Sequence, residues 1–129
     1  MDLSLLPNTA HVEARPLATV LAELSAGPAH AVGMVISNDW FDFDAPDYAH
    51  FDAYDAAFDA LAKAIGSLVG EEAERALGFD EQTFEPVPLL AGLEVFCDGF
   101  YHWKNAGLLL IIAHEDKELP IEISLVRVP

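Results

Sequence analysis

The chain has 129 residues, a length that suits one domain, and folding at this size removes roughly two-thirds of the unfolded surface from water. Hydrophobic residues make up 53% of the sequence, which argues against disorder, whereas 22 acidic residues against 6 Lys and Arg give a net charge of −16. A charge of this sign and size repels nucleic acid and anionic membranes, so we expect neither as a partner.

The cellular setting is predicted from the N-terminus and from cysteine usage. Residues 1–7 lack the basic start and the long apolar region of a secretory signal. Cys97 is the only cysteine, so no internal disulfide can form. We therefore predict one domain over residues 1–129 in a reducing, cytoplasmic compartment.

The first two predicted elements are a short helix and a strand. Apolar residues at helical spacing follow Pro16 and end before Gly27, namely Leu17, Val20, Leu21 and Leu24. Residues 29–37 form an apolar, partly β-branched run, which predicts a strand. Gly33 inside this run indicates a weak position or a β-bulge.

A long amphipathic helix is predicted over residues 47–69. Its apolar residues recur at three- and four-residue steps and are Phe51, Tyr54, Phe58, Leu61, Ile65 and Leu68. We expect this stripe to lie on the sheet. One more short helical turn is predicted over residues 71–77, followed by an irregular connection over residues 79–92 that contains two prolines.

The C-terminal part predicts a three-stranded antiparallel meander, with strands near 93–104, 107–114 and 119–128. The middle strand contains six consecutive apolar residues, which is too short to cross a bilayer and typical of a strand covered on both faces. Together with the strand near 29–37, the meander gives a predicted α+β fold. Its antiparallel sheet packs against the long helix, and the short helix precedes both.

Turn chemistry extends the prediction to the strand register. A three-residue loop over 105–107, with Gly107 in the left-handed region, places Asp98 opposite His114. A four-residue corner over 115–118 then places Leu110 opposite Ile123. The face expected to meet the long helix carries Phe96, Phe100, Leu110, Ile112, Ile121, Ile123 and Leu125. The opposite face carries Tyr101, Trp103, Leu109 and Ile111, and its apolar character allows two interpretations, coverage by a second layer of the same chain or by another subunit of a homodimer.

No catalytic, metal or cofactor motif is found in the sequence, so we expect no cofactor. Cys97 and His102 are five steps apart on one strand, which predicts opposite faces and excludes a nucleophile–base pair. We interpret Cys97 as a buried thiol. An Asp98–His114 pair, or carboxylates of the acidic cluster holding a divalent ion, keeps open the alternative of a small hydrolase or a ligand- or metal-binding domain.

The most distinctive predicted surface mixes acidic and aromatic residues around the start of the long helix. The loop and first helical residue contribute Asp39, Trp40, Phe41, Asp42, Phe43, Asp44, Asp47 and Tyr48. On the helix, Asp52, Asp55 and Asp59 fall within about 60° of one another, and we call them the acidic ridge. The ridge carboxylates repel one another, and we expect no compensating partner in the chain beyond Lys63, which can pair with only one of them. Replacing all three by Asn is then expected to leave the fold intact or slightly stabilised.

Aromatic side chains set among carboxylates are typical of surfaces that bind basic proteins. In size and charge the chain resembles small acidic inhibitors, such as the immunity proteins that mask a nuclease or toxin. The resemblance implies a non-enzymatic domain that binds a basic protein partner. We take this as the first functional hypothesis and the hydrolase or ligand-binding domain as its alternative.

Overall fold

A computed structural model describes residues 16–37, 48–90, 93, 97–113 and 121–129 of the chain. The helices are α1 (Leu17–Ala26) and α2 (Tyr48–Val69), and a short 3-10 turn covers Pro88–Leu90. The strands are β1 (Val32–Ser37), β2 (Ala76–Leu77), β3 (Cys97–Trp103), β4 (Leu108–Ala113) and β5 (Glu122–Arg127). They form one antiparallel sheet in the order β1-β5-β4-β3-β2. The predicted α+β class, both helices and the C-terminal meander are confirmed.

Strand β4 lies at the centre of the sheet, and all of its residues are buried. Leu110 and Ile112 belong to a core cluster that includes the buried residues of both helices, so α1 and α2 cover the same face. Leu109 and Ile111 belong to a second cluster on the other face, where Leu90 of the segment after β2 packs. The prediction of a central strand with both faces covered is therefore confirmed.

The apolar stripe of α2 is buried as predicted except at its end. Tyr54, Phe58, Leu61 and Ile65 are buried, whereas the prediction was wrong for Leu68, whose exposed fraction is 53%. Val69, four residues after Ile65, is partly buried against the core in its place. An α-helix makes one turn in 3.6 residues. Residues chosen by alternating steps of three and four therefore rotate gradually around the helix, and the last of them no longer lies on the buried face. The Phe51 side chain lies outside the described residues.

The predicted register of the β3–β4 hairpin was wrong by one residue. Trp103 pairs with Leu108, so the loop has four residues, although Gly107 does take the left-handed conformation, with φ 67°. A bulge follows at Asp98, and Cys97 pairs with Ala113. The three-residue loop on which the predicted Asp98–His114 pair depended is therefore not formed, and His114 itself lies outside the described residues.

This shift exchanges the two faces of β3, because side chains alternate along a strand. Phe100 was predicted to face the long helix, but it belongs to the second cluster on the other face. Tyr101 and Trp103 were predicted on that other face, but they contact the core under α2. Trp103 is only 1% exposed, which removes the basis for a homodimer contact through it. Phe96 lies outside the described residues.

The predicted register of β4 and β5 was wrong by two residues. Leu110 pairs with Leu125 and Ile112 with Ile123, and the pairing ends at Ala113 opposite Glu122. A shift of two residues keeps every side chain on its face, so Ile121, Ile123 and Leu125 lie in the helix-side core as predicted.

Gly33 marks a β-bulge, which confirms one of the two readings of this position. The pairing of β1 with β5 shifts between Val32 and Met34. A Cβ atom at Gly33 would lie 3.1 Å from side-chain carbons of Val20 and Leu24, so glycine allows α1 to pack closely on β1.

The helical turn predicted over residues 71–77 was wrong. Gly70, with φ 70°, takes a left-handed conformation and its N–H donates to the carbonyl of Gly66, which ends α2. The chain then runs without helix to β2, which pairs with β3 at the edge of the sheet. A glycine in this conformation redirects the chain, so the apolar residues after it follow the sheet and not the helix.

Alanine substitutions at Gly78 and Gly70 test this fold, because each is expected to lower stability by a different mechanism. Gly78 is buried, and a Cβ atom there would lie 2.7 Å from Cβ and Sγ of Cys97. We expect Gly78→Ala to lower the free energy of unfolding by about 2–3 kcal/mol through overpacking. Gly70→Ala meets no atom within 4 Å and should cost only about 1 kcal/mol, through its positive φ.

Urea unfolding followed by circular dichroism measures both values. Equal losses for the two variants would contradict the close contact between Gly78 and Cys97.

Candidate functional site

Most of the predicted acidic and aromatic surface falls outside the residues that the structure describes. These positions are Asp39, Trp40, Phe41, Asp42, Phe43, Asp44 and Asp47. Tyr48 is the first residue of α2, and its side chain is likewise outside the described part. Whether these residues bind a partner therefore stays a prediction. The acidic ridge is the part of the predicted site that can be placed.

Arg75 binds two of the three ridge carboxylates. Its guanidinium nitrogens lie 2.6 Å from Oδ1 of Asp55 and 3.1 Å from Oδ1 of Asp59. The hydrogen bond to Asp55 raises the pKa of Arg75, although partial burial opposes this effect. The guanidinium also lies 5.0 Å from the ring centroid of Phe58, a cation–π distance.

The premise that the chain offers the ridge almost no compensating charge was therefore wrong. Arg75 is distant in sequence and is carried to α2 by the segment that turns at Gly70. Replacing Asp55 and Asp59 by Asn removes both ion pairs, so we now expect a loss of stability where a neutral or stabilising effect was predicted. Asp52 is exposed, and it alone of the three has no contact with Arg75 among the described residues.

Tyr101 connects the ridge to the sheet. Its hydroxyl donates a hydrogen bond of 2.8 Å to Asp59, and its ring lies 5.2 Å from Phe58 and 5.9 Å from Trp103, measured between centroids. Burial, and then the bond to the Asp59 carboxylate, raises the pKa of Tyr101 to about 12. The phenol is therefore a neutral donor near pH 7 and has no role as a base there.

A groove of about 630 Å³ lies beside the ridge, between the C-terminal half of α2 and residues 70–74. Its charged lining consists of Asp59, Glu71, Glu72, Glu74 and Lys63. Small residues such as Gly66 and Ala73 leave the space open. Because four carboxylates face one ammonium group, the groove favours cationic ligands over anionic ones.

Glu71 has a structural part in this groove. Its carboxylate accepts hydrogen bonds from the backbone N–H groups of Asn105 and Ala106, at 3.1–3.2 Å. It therefore holds the four-residue β3–β4 loop against the end of α2. Glu72 and Glu74 are exposed and are the groove carboxylates that a partner can reach most easily.

Cys97 lacks the surroundings of a reactive thiol. The Cys97 thiol is buried and donates to the Gly99 carbonyl, and burial raises its pKa to about 12, as expected for an unreactive thiol. The bulge at Asp98 brings Cys97 and His102 to the same face, contrary to the prediction, but five steps along the strand still separate them by roughly 15 Å. No group of three or more His, Cys, Asp or Glu in the described ranges could hold a metal ion.

Comparisons of this chain with protein-family models, with curated proteins and with solved structures found no match. Among the described helices, none has both the length and the apolar composition needed to cross a bilayer.

A double-mutant cycle tests the contact between Arg75 and Asp55. Both side chains are about one-third exposed, so we expect a coupling free energy of about 0.5–1 kcal/mol between Arg75→Gln and Asp55→Asn. Asp52→Asn is the matched control, one helical turn away on the same ridge, and should show a coupling near zero with Arg75→Gln. Equal coupling for both aspartates would indicate a general field effect without a specific ion pair.

The raised pKa of Tyr101 predicts a loss of stability in alkali. The folded phenol keeps its proton until about pH 12, whereas the unfolded one loses it near the ordinary value of 10.0. The free energy of unfolding should therefore fall between pH 10 and pH 12, because only the unfolded state releases this proton. Urea unfolding of Tyr101→Phe should show a shallower fall over this range than wild type. Parallel curves would contradict the partly buried, hydrogen-bonded phenol.

Proposed function

We propose that this protein binds a basic surface of another protein, as a non-enzymatic inhibitor of the immunity type that masks a nuclease or toxin. The observation that carries the proposal is the groove beside α2, about 630 Å³ in volume and lined by four carboxylates and one lysine. A lysine or arginine side chain of a partner can enter a groove of this size and form ion pairs with Glu72 and Glu74.

Two arginines bind groups of the chain itself, and this supports the proposal. Arg75 is held by Asp55 and Asp59, and Arg127 donates to the carbonyls of Ser25 and Gly27 at the end of α1. The second contact suits the negative end of the helix dipole. With these two cations engaged inside the chain, fewer of its 6 Lys and Arg can offset the acidic surface.

The sign and size of the surface charge favour electrostatic steering of a basic partner. A net charge of −16 raises the rate of encounter with a positively charged protein, and an acidic groove concentrates the field at one place. A single buried thiol fits a reducing compartment, and we propose the cytoplasm.

The experiment compares wild type with the double variant Glu72→Gln/Glu74→Gln. Each protein is used to capture partners from native lysate at low salt, and the association rate of a captured basic protein is then measured by stopped flow. We expect the variant to associate about threefold to tenfold more slowly at low salt, because rim charges act on the encounter rate. The difference should shrink as salt screens the wild type.

Glu23→Gln/Glu122→Gln is the matched control, since it removes the same charge from α1 and β5, outside the groove. It should slow association much less than the groove variant. The groove would be refuted as the binding site if only acidic proteins were captured, or if the two variants lowered the association rate equally.

A further inference from the structure

The loop between β2 and the 3-10 turn is closely held by its own backbone. Phe79 and Pro86 form an isolated β-bridge, and the N–H of Asp80 donates to the carbonyl of Glu85 at 2.8 Å. The Asp80 carboxylate accepts from the N–H groups of Gln82 and Thr83, at 2.8 and 3.0 Å. The loop therefore presents its side chains from a preorganised backbone.

Phe84 has an unfavourable backbone conformation and an exposed side chain in this loop. Its φ is 59°, in the left-handed region that bulky residues rarely adopt. Its side chain is 73% exposed, and its described ring contact is one stacked arrangement with Phe79 at 6.3 Å between centroids. Asparagine or glycine would fit this backbone with less strain, so folding alone does not account for a phenylalanine here.

We propose that Phe84 is an aromatic anchor that inserts into an apolar pocket on a basic protein partner. An exposed aromatic side chain on a rigid loop loses little conformational entropy on binding, which is the property of interface hot spots. Leu77 and Leu89, at 47% and 37% exposure, belong to the same segment and provide further apolar surface. The inference rests on the proposed function and assigns a second contact to it, outside the groove.

Charge decides which class of partner fits this loop. Asp80, Glu81 and Glu85 lie within four residues of Phe84 in the same loop, and the sequence has no Lys or Arg between Arg75 and Lys104. An anchor in this setting suits a pocket rimmed by lysine or arginine. A symmetric contact with a second copy of the chain would bring two acidic loops together and is disfavoured.

The central variant is Phe84→Asn, because asparagine tolerates a left-handed backbone. Without any partner present, we expect its melting temperature to equal or exceed that of wild type, since the strain is relieved. A lower melting temperature would show that the loop needs the phenyl ring for folding, and it would overturn the anchor assignment. Val32→Ala is the matched control, a truncation of an exposed apolar residue on β1 at the other edge of the sheet.

The probe is a displayed library of random peptides, selected on the wild-type protein at low salt. We expect the selected peptides to combine Lys or Arg with Leu, Phe or Trp. Synthetic copies should bind Phe84→Asn about tenfold or more weakly than wild type, and Val32→Ala within about twofold. Equal binding to wild type and Phe84→Asn would overturn the inference.

The same selection separates this inference from the proposed function. Basic peptides that bind Phe84→Asn normally but lose affinity for Glu72→Gln/Glu74→Gln would leave the acidic groove as the binding site and remove Phe84 from it. Selected peptides with no excess of Lys or Arg would overturn both.

Discussion

The β4 strand must be covered on both faces, and this requirement arranges the rest of the described structure. Its residues are apolar without alternation, and burying each large side chain contributes about 1.5–3 kcal/mol. Helices α1 and α2 cover one face, whereas Leu90 and its neighbours after β2 cover the other. The chain therefore has to pass from one side of the sheet to the other, and it does so at the edge strand β2.

The segment that makes this passage also connects the layers electrostatically. It turns at Gly70, where the left-handed backbone ends α2, and within a few residues Glu71 binds the β3–β4 loop and Arg75 binds α2. Each contact joins parts of the chain that are distant in sequence. Two charged side chains on one short connection thus align the long helix with the hairpin beneath it. The wall of the acidic groove is formed by the same residues, so its shape depends on these contacts.

The few cations of this acidic chain contact some of its carboxylates and carbonyl groups and leave others uncompensated. Arg75 pairs with Asp55 and Asp59, and Arg127 donates to helix carbonyls, so both cations are engaged within the chain. The groove and the loop around Phe84 keep most of their acids uncompensated by the described cations. Self-repulsion among these acids lowers stability, and the proposed basic partner would relieve it. In this proposal, Glu72 and Glu74 serve binding, whereas Asp55, Asp59 and Glu71 make contacts within the fold.

Periodicity in the sequence was sufficient for the α+β class, for both helices and for the buried faces of β4 and β5, because apolar spacing reports directly which side of an element meets the core. The sequence could not determine the length of the β3–β4 loop, since the loop donates the backbone N–H groups of Asn105 and Ala106 to a distant glutamate, Glu71. The one additional loop residue exchanged the faces of Tyr101 and Phe100. The ridge was found by its helical spacing, but its compensation by Arg75 depends on long-range folding of the chain. Local pattern determined the elements, whereas contacts between distant residues determined register, charge pairing and the shape of the groove.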